Sequence, residues 1–255
     1  MLVDYHELKY KLIGLEVLKP ISGTLSGHAA GEPFDKLAYQ EIKKIFPNQT
    51  FRQYEYLNDL YSKNPTVIGF SARQALFNSP SIMFLLSRGK DVTNKWSLDN
   101  IFEEKQNDTA DILVVKDDFY EIIDIKTRNI SKKSQPPNII SAYKLAQLCA
   151  IMIDNQEFDN FTINYVEIDW DLSGDKLTCV DVYFMDLFKV DPRELYINWA
   201  AAMQIQFHVS DMEQEFIVPK ETWAKYYLKN FVAQAERRAK SMIDKFVKPF
   251  LKYIE

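Results

Sequence analysis

Thr109-Ala110-Asp111-Ile-Leu-Val-Val-Lys116-Asp117-Asp118-Phe119-Tyr-Glu-Ile-Ile-Asp124-Ile-Lys126 is the stretch that decides how this chain folds. Two apolar runs rich in β-branched residues flank a polar break at Lys116-Asp117-Asp118, the pattern of a β-hairpin. If Asp117-Asp118 is a two-residue loop, Lys116 faces Phe119 and, counting outward, Asp111 faces Asp124. Side chains alternate faces along a strand, so Asp124 and Lys126 point the same way. Asp111 then joins them, its Cβ about 5 Å from that of Asp124. Like charges held opposite each other destabilise a ribbon. A hard divalent cation with oxygen ligands is the natural compensation.

An acid followed two places later by lysine means little alone. It occurs four times: Glu7-Leu-Lys9, Glu41-Ile-Lys43, Glu103-Glu-Lys105 and Asp124-Ile-Lys126. The first three lie among polar residues, where charges are solvated. Only the last sits on an apolar strand with a second Asp across a hairpin. Two readings follow, a metal site or an ordinary Asp124–Lys126 ion pair. The first suits phosphodiester hydrolysis: a metal polarises phosphorus and lowers the pKa of water. Lys126 then stabilises charge on the phosphate or orients the attacking water. Asp111, Asp124 and Lys126 are thus the candidate catalytic residues.

Composition narrows the class. With 255 residues, 47% hydrophobic and 14% aromatic, the chain can build a large core. Seven glycines and ten prolines leave no room for a long low-complexity linker, and with no clear boundary along the chain a single domain over 1–255 is expected. No apolar run approaches the ~18 residues of a membrane span. No signal-peptide core opens the chain, so a cytoplasmic location and no membrane partner are expected. Cys149 and Cys179 lack metal-site spacing and read as core residues. His6, His28 and His208 are scattered, which disfavours zinc. A net charge of −5 argues against a general polyanion-coating protein. That average hides an asymmetry. Residues 125–153 hold no Asp or Glu but contain Lys126, Arg128, Lys132, Lys133 and Lys144. Residues 154–194 hold eleven acids against Lys176, Lys189 and Arg193. Positive charge directly after the acid pair fits a phosphate-rich substrate; a solvated basic loop is the plainer alternative.

Elsewhere, Asp4-Tyr-His-Glu7 reads as a capping box opening a helix that stops before Pro20. Gly23, Gly27 and Gly31 suit tight turns or close backbone approach, and lack the Gly-Lys-Ser/Thr of a P-loop. Pro33 suits a helix's first turn, with Phe34, Leu37, Ala38, Ile42 and Ile45 as its apolar face. Phe77–Arg88 is another apolar stretch, and Trp96–Phe102 a short helix-like one. Pro136-Pro137 disfavours helix, and Asn138 caps the next one, with Ile139, Tyr143, Ala146 and Ala150 on one side. Phe161–Asp169 and Leu177–Phe184 read as strands. Along Met203–Val209, Met203, Ile205, Phe207 and Val209 alternate inward while Gln204, Gln206 and His208 face out. A long helix from about Thr222 to Tyr253 carries Trp223, Tyr227, Phe231, Met242, Phe246 and Phe250. The order predicts an α/β or α+β fold with a mixed central sheet flanked by helices.

The hairpin spacing resembles the PD-(D/E)xK nuclease superfamily, with Ala110 where a proline is usual. Longer strings resemble type II restriction endonucleases of the HincII family. They include Gly23-Thr-Leu-Ser-Gly-His-Ala-Ala-Gly-Glu-Pro-Phe34, Phe84-Leu-Leu-Ser-Arg-Gly-Lys90, Pro137-Asn-Ile-Ile-Ser-Ala-Tyr-Lys-Leu-Ala-Gln147 and Glu194-Leu-Tyr-Ile-Asn-Trp-Ala-Ala-Ala-Met-Gln-Ile-Gln-Phe-His-Val209. Together such strings cover nearly the whole chain in order.

The resemblance implies a restriction-endonuclease-like fold and a homodimer acting on double-stranded DNA. The implied reaction cuts both strands of a palindrome, expected to be GTYRAC, leaving blunt ends with 5′-phosphates. Protein two-fold symmetry mirrors that of such a site. It implies Mg²⁺, with Mn²⁺ as substitute, held by Asp111, Asp124 and the backbone carbonyl of Ile125. A cognate DNA methyltransferase belongs to the same cell. Recognition is implied at about 129–138 and 194–209. Gln135 matches a wedge into the base stack at the easily kinked central pyrimidine–purine step. Asn138 matches a residue near the central bases. Tyr196, Asn198 and Ala200 match the segment entering the major groove. Lys90, after Arg88-Gly89, reads either as a phosphate contact or as a surface lysine. Pro136 departs from the alanine expected in that loop and stiffens the wedge.

Overall fold

The computed structural model describes residues 1–19, 28–61, 76–86, 109–133, 135–212 and 214–254. The helices are α1 (Tyr5–Leu12), α2 (His28–Ile45), α3 (Gln53–Tyr61), α4 (Pro80–Leu86), α5 (Ala142–Asn155), α6 (Lys220–Met242) and α7 (Lys248–Leu251). The strands are β1 (Glu16–Leu18), β2 (Thr50–Phe51), β3 (Ile112–Lys116), β4 (Phe119–Asn129), β5 (Asn138–Ser141), β6 (Phe161–Ser173), β7 (Lys176–Asp186), β8 (Ile197–Asn198) and β9 (Gln204–Gln206). Six strands form one sheet in the order β1-β7-β6-β4-β3-β2, and three form a smaller one, β5-β9-β8. The large sheet is mixed: β4 and β6 run parallel, and its other neighbours run antiparallel. The fold is therefore α+β with a mixed central sheet flanked by helices, of the restriction-endonuclease-like kind.

The β3–β4 hairpin sets everything near the site. Lys116 faces Phe119 and the register runs to Ile112 opposite Ile123. Asp117 turns the chain with φ at 56°, a left-handed conformation that Asp tolerates better than most residues. Parallel pairing of β4 with β6 needs a crossover, which α5 supplies. Strand alternation then divides the core. Leu113, Tyr120 and Ile122 pack on the side of α4, α5 and α6. Ile112, Val114, Ile123 and Ile125 pack on the side of α1 and α2. Glu121 projects to that second side, fully buried. It accepts hydrogen bonds from the backbone N–H of Leu2, from Val3 N at 3.1 Å, from Tyr5 Oη at 2.7 Å and from Asn164 Nδ2 at 3.0 Å. That donor set is what lets a carboxylate stay inside.

Several expectations needed correction. Asp4 does cap α1, accepting from Glu7 N at 3.0 Å, but the helix ends at Leu12. Residues before Pro20 instead pair with β7, a contact no local pattern records. Helix α2 begins at His28, so Gly31 is helical and Pro33 lies inside rather than in the first turn. Gly23, Gly27 and Trp96–Phe102 lie outside the described residues. Asn138 opens β5, and Ser141 caps α5 by accepting from Lys144 N. The buried face of α5 is Ala142, Leu145, Ala146, Leu148, Cys149 and Met152; Ala146 lies on it as expected, while Tyr143 and Ala150 are exposed. Met203 is exposed too, and the inward set is Ile205, Phe207 and Val209. In the last helix Trp223 and Tyr227 are buried, but Met242, Phe246 and Phe250 are solvent-exposed within this chain.

Candidate active site

The face of β4 that carries Tyr120 and Ile122 into the core turns polar as the strand continues. Its next three side chains are Asp124, Lys126 and Arg128. In the parallel register, Asp124 lies beside Tyr165, Lys126 beside Glu167 and Arg128 beside Asp169. Asp111 enters from the start of β3, its N–H donating to Ile123 O at 3.0 Å. Its Oδ2 accepts from Ile125 N at 2.7 Å, and its carboxyl hydrogen-bonds that of Asp124. The trio thus converges as the hairpin register requires, with Lys126 Nζ at 2.7 Å from Asp124 Oδ2.

Electrostatics mark Asp111. Burial, then the charge of Asp124 and the hydrogen bond between the two carboxyls, push it up to about 7; Ile125 N–H and Lys126 pull the other way. A proton shared between facing carboxyls is what remains when two like charges cannot both ionise. A hard cation relieves the same repulsion, and carboxylate oxygens with a backbone carbonyl are its preferred donors. Among the described residues no group of three or more His, Cys, Asp or Glu side chains could hold a metal. A third protein oxygen would then be a backbone carbonyl. A donor set of two acids and a carbonyl fits Mg²⁺, which keeps several waters.

Residues the sequence did not single out brace the pair. Arg52 Nη1 donates to the carbonyl of Asp111 at 2.9 Å and to Asp35 Oδ1 at 2.7 Å. Asp35 is raised by its own burial, and the charge of Asp111 adds to this. Gln53 Oε1 accepts from Thr109 N at 3.0 Å and Ala110 N at 2.9 Å, and its Nε2 donates to Leu86 O at 2.9 Å. Ala110 therefore has a stated use: proline there would lack the N–H that Gln53 holds. Past Lys126, Arg128 forms a two-nitrogen pair with Asp169 and donates to Ser210 Oγ at 3.1 Å. Buried Glu167 accepts from Val209 N at 2.6 Å, and His208 Nδ1 lies 2.6 Å from its other oxygen. A cavity of about 280 Å³ opens here, lined by Arg128, Asn129, Ile130, Lys132 and His208. Arg128 and Lys132 of the basic run line this cavity, and its lining includes neither Asp111 nor Asp124.

The small sheet joins the two segments expected to read DNA, with β8 and β9 inside 194–209 and β5 beginning at Asn138. Gln135 is exposed in the stretch before β5, and Asn138 is exposed on β5 itself. Tyr196 is 65% exposed just before β8, and Asn198 ends β8. Ala200 is exposed in the turn to β9, where Ala202 and Met203 have φ of 52° and 58°. Lys90 lies outside the described residues.

A family model, restriction endonuclease HincII, matches residues 8–254. The chain belongs to the HincII restriction endonuclease family. Two curated relatives from Haemophilus influenzae, type II restriction enzymes HindII (from strain KW20 / Rd) and HincII, are each 66% identical over 250 residues, covering 98% of this chain and 97% of the relative. Membership in the HincII family makes the chain a DNA-binding hydrolase of restriction systems that cleaves at specific sites. Type II enzymes of this kind generally use divalent metal ions. None of the described helices is long and apolar enough to cross a membrane.

Proposed function

We propose that this HincII-family enzyme recognises the palindromic duplex GTYRAC and hydrolyses one phosphodiester bond in each strand, leaving blunt ends with 5′-phosphates. The observation that carries the catalytic part is the convergence of Asp111, Asp124 and Lys126 on one strand face, with the Asp111 carboxyl raised to about 7. Asp111, Asp124 and the backbone carbonyl of Ile125 hold Mg²⁺, with Mn²⁺ able to replace it. The bound ion supplies Lewis acidity at the phosphate and a lowered pKa for water. Lys126, on the same strand face, would place its ammonium against charge growing on the phosphate. Arg52 holds the Asp111 carbonyl and Gln53 the N–H groups of Thr109 and Ala110 just before it, so the backbone that carries Asp111 stays fixed.

Recognition is assigned to Gln135 at the central step, to Asn138, Tyr196, Asn198 and Ala200 at base edges, and to Lys90 at a phosphate. The chain acts as a homodimer of one nuclease domain per subunit, 1–255, in the cytoplasm, alongside a methyltransferase that protects the same site. The exposed Met242, Ile243, Phe246 and Phe250 support the dimer reading, since a run of apolar residues like this marks a contact surface. Incubation with plasmid and Mg²⁺, followed by sequencing of fragment ends, tests the whole reading. Discrete blunt fragments ending at the centre of GTYRAC are expected. A folded protein giving no discrete fragments, or staggered ends, overturns it.

A further inference from the structure

Across the small sheet runs a hydrogen-bonded row of three amide side chains. Asn198 Oδ1 accepts from Ala200 N at 3.1 Å and Ala201 N at 3.2 Å. Asn198 Nδ2 donates to Gln206 Oε1 at 2.7 Å. Gln206 Nε2 donates to Asn138 Oδ1 at 2.7 Å. Amide ends are normally interchangeable in such a network. Here they are not, because two backbone N–H groups can be met only by oxygen. That anchor fixes Asn198, Asn198 fixes Gln206, and Gln206 fixes Asn138. Every amide oxygen is engaged along the row. Each amide nitrogen keeps at least one hydrogen free, and among the described residues Asn138 keeps both.

We infer that Gln206 is a specificity-determining positioning residue, orienting the row so that it offers hydrogen-bond donors to the base edges beneath it. This rests on the DNA-recognition reading above and deepens it. A donor row favours edges bearing acceptors and no donor: guanine, with O6 and N7, satisfies it best in the major groove. Cytosine and adenine present amino hydrogens there and meet the row donor to donor. Gln206 acts through Asn138 and Asn198, so it sets which base is accepted without supplying the contact itself.

The test reads base preference by binding alone. A randomised duplex pool is selected on the protein with Ca²⁺ in place of Mg²⁺, so it does not depend on cleavage. Gln206→Glu substitutes an acceptor-only group. Asn198 still donates to it, but Asn138 can do so only by turning its amide over, which brings Oδ1 outward. At a pair beside the row that the unaltered protein reads as guanine, preference then moves toward a base with an amino group, by roughly 5- to 150-fold in relative binding. Gln206→Met, uncharged and of similar length, removes both bonds and flattens preference at that pair instead. Should Gln206→Glu fail to fold, Gln206→Met decides alone. Unchanged preference at every position in a folded variant overturns the inference. Absence of selection by the unaltered protein would instead sink the DNA-recognition reading beneath it.

Discussion

Asp111→Asn removes one charge from the facing pair while keeping the side chain's shape, its acceptance from Ile125 N and a donor for Asp124. Raised from an ordinary 3.8 to about 7, the Asp111 carboxyl costs the folded state on the order of 4 kcal/mol once ionised. Solvent at the rim of the site screens part of this, leaving about 1–3 kcal/mol to be observed. The sign follows from linkage. A carboxyl raised on folding holds its proton longer in the native state, so stability falls as pH climbs from the unfolded pKa through the folded one. Below pH 4 both states are protonated and the variant gains nothing. Above pH 7 the full penalty acts on the parent alone. Without metal, the variant should match the parent near pH 4 and exceed it at pH 8 by about 2–8 °C in Tm. Scanning calorimetry in EDTA, at one protein concentration and several pH values, measures this. Mg²⁺ should then raise the Tm of the parent at pH 8 far more than that of the variant, because only the parent keeps both ligands. A gap independent of pH, or a variant less stable than the parent at pH 8, would refute the reasoning.

Lys126→Met should lower single-turnover cleavage by roughly 10²–10³-fold with DNA binding retained, measured by quench-flow and mobility shift; an equal loss of binding would make the lysine a docking residue instead. Gln135→Ala should bring the cleavage rates on different central dinucleotides closer together by roughly tenfold, a share of the ~1–6 kcal/mol that bending a site costs. Relative rates unchanged from the parent's on all four would remove the wedge. Glu121→Ala strands the four donors now held inside the core and should cost about 3–5 kcal/mol. A Tm drop of roughly 10 °C, with specificity unchanged in the surviving folded enzyme, is the expected readout.

The hairpin was legible because it is local: a two-residue loop fixes register, and register fixes which side chains meet. The facing of Asp111 and Asp124 followed from counting alone. Pairings between distant segments were not legible. The stretch before Pro20 has helical character, yet β7 recruits it as a strand. Asn138 and Ser141 are both good caps; both pair with β9, but Ser141 ends the strand, so its hydroxyl is the one that reaches Lys144 N. The spacing of Phe246 and Phe250 gave a helix correctly but not its burial, since no described element of this chain covers them. Arg52 and Gln53 left no trace in motif space because they hold backbone atoms, which any residue but proline would present at 109–111. Gln206 was visible only as an outward residue of an alternating run.

The parallel union of β4 with β6 has a consequence for the order of assembly. The ribbon from Ile112 to Asn129 can zip within microseconds of its two-residue loop closing. Its partner starts at Phe161, beyond a helix, so that union is a distant and slower one. Until it forms, both acids stay hydrated and their repulsion is slight. The electrostatic load that suits the site to an ion therefore falls on the late docking step, and cations in the surrounding solution should quicken the final closure of the sheet rather than its first turn.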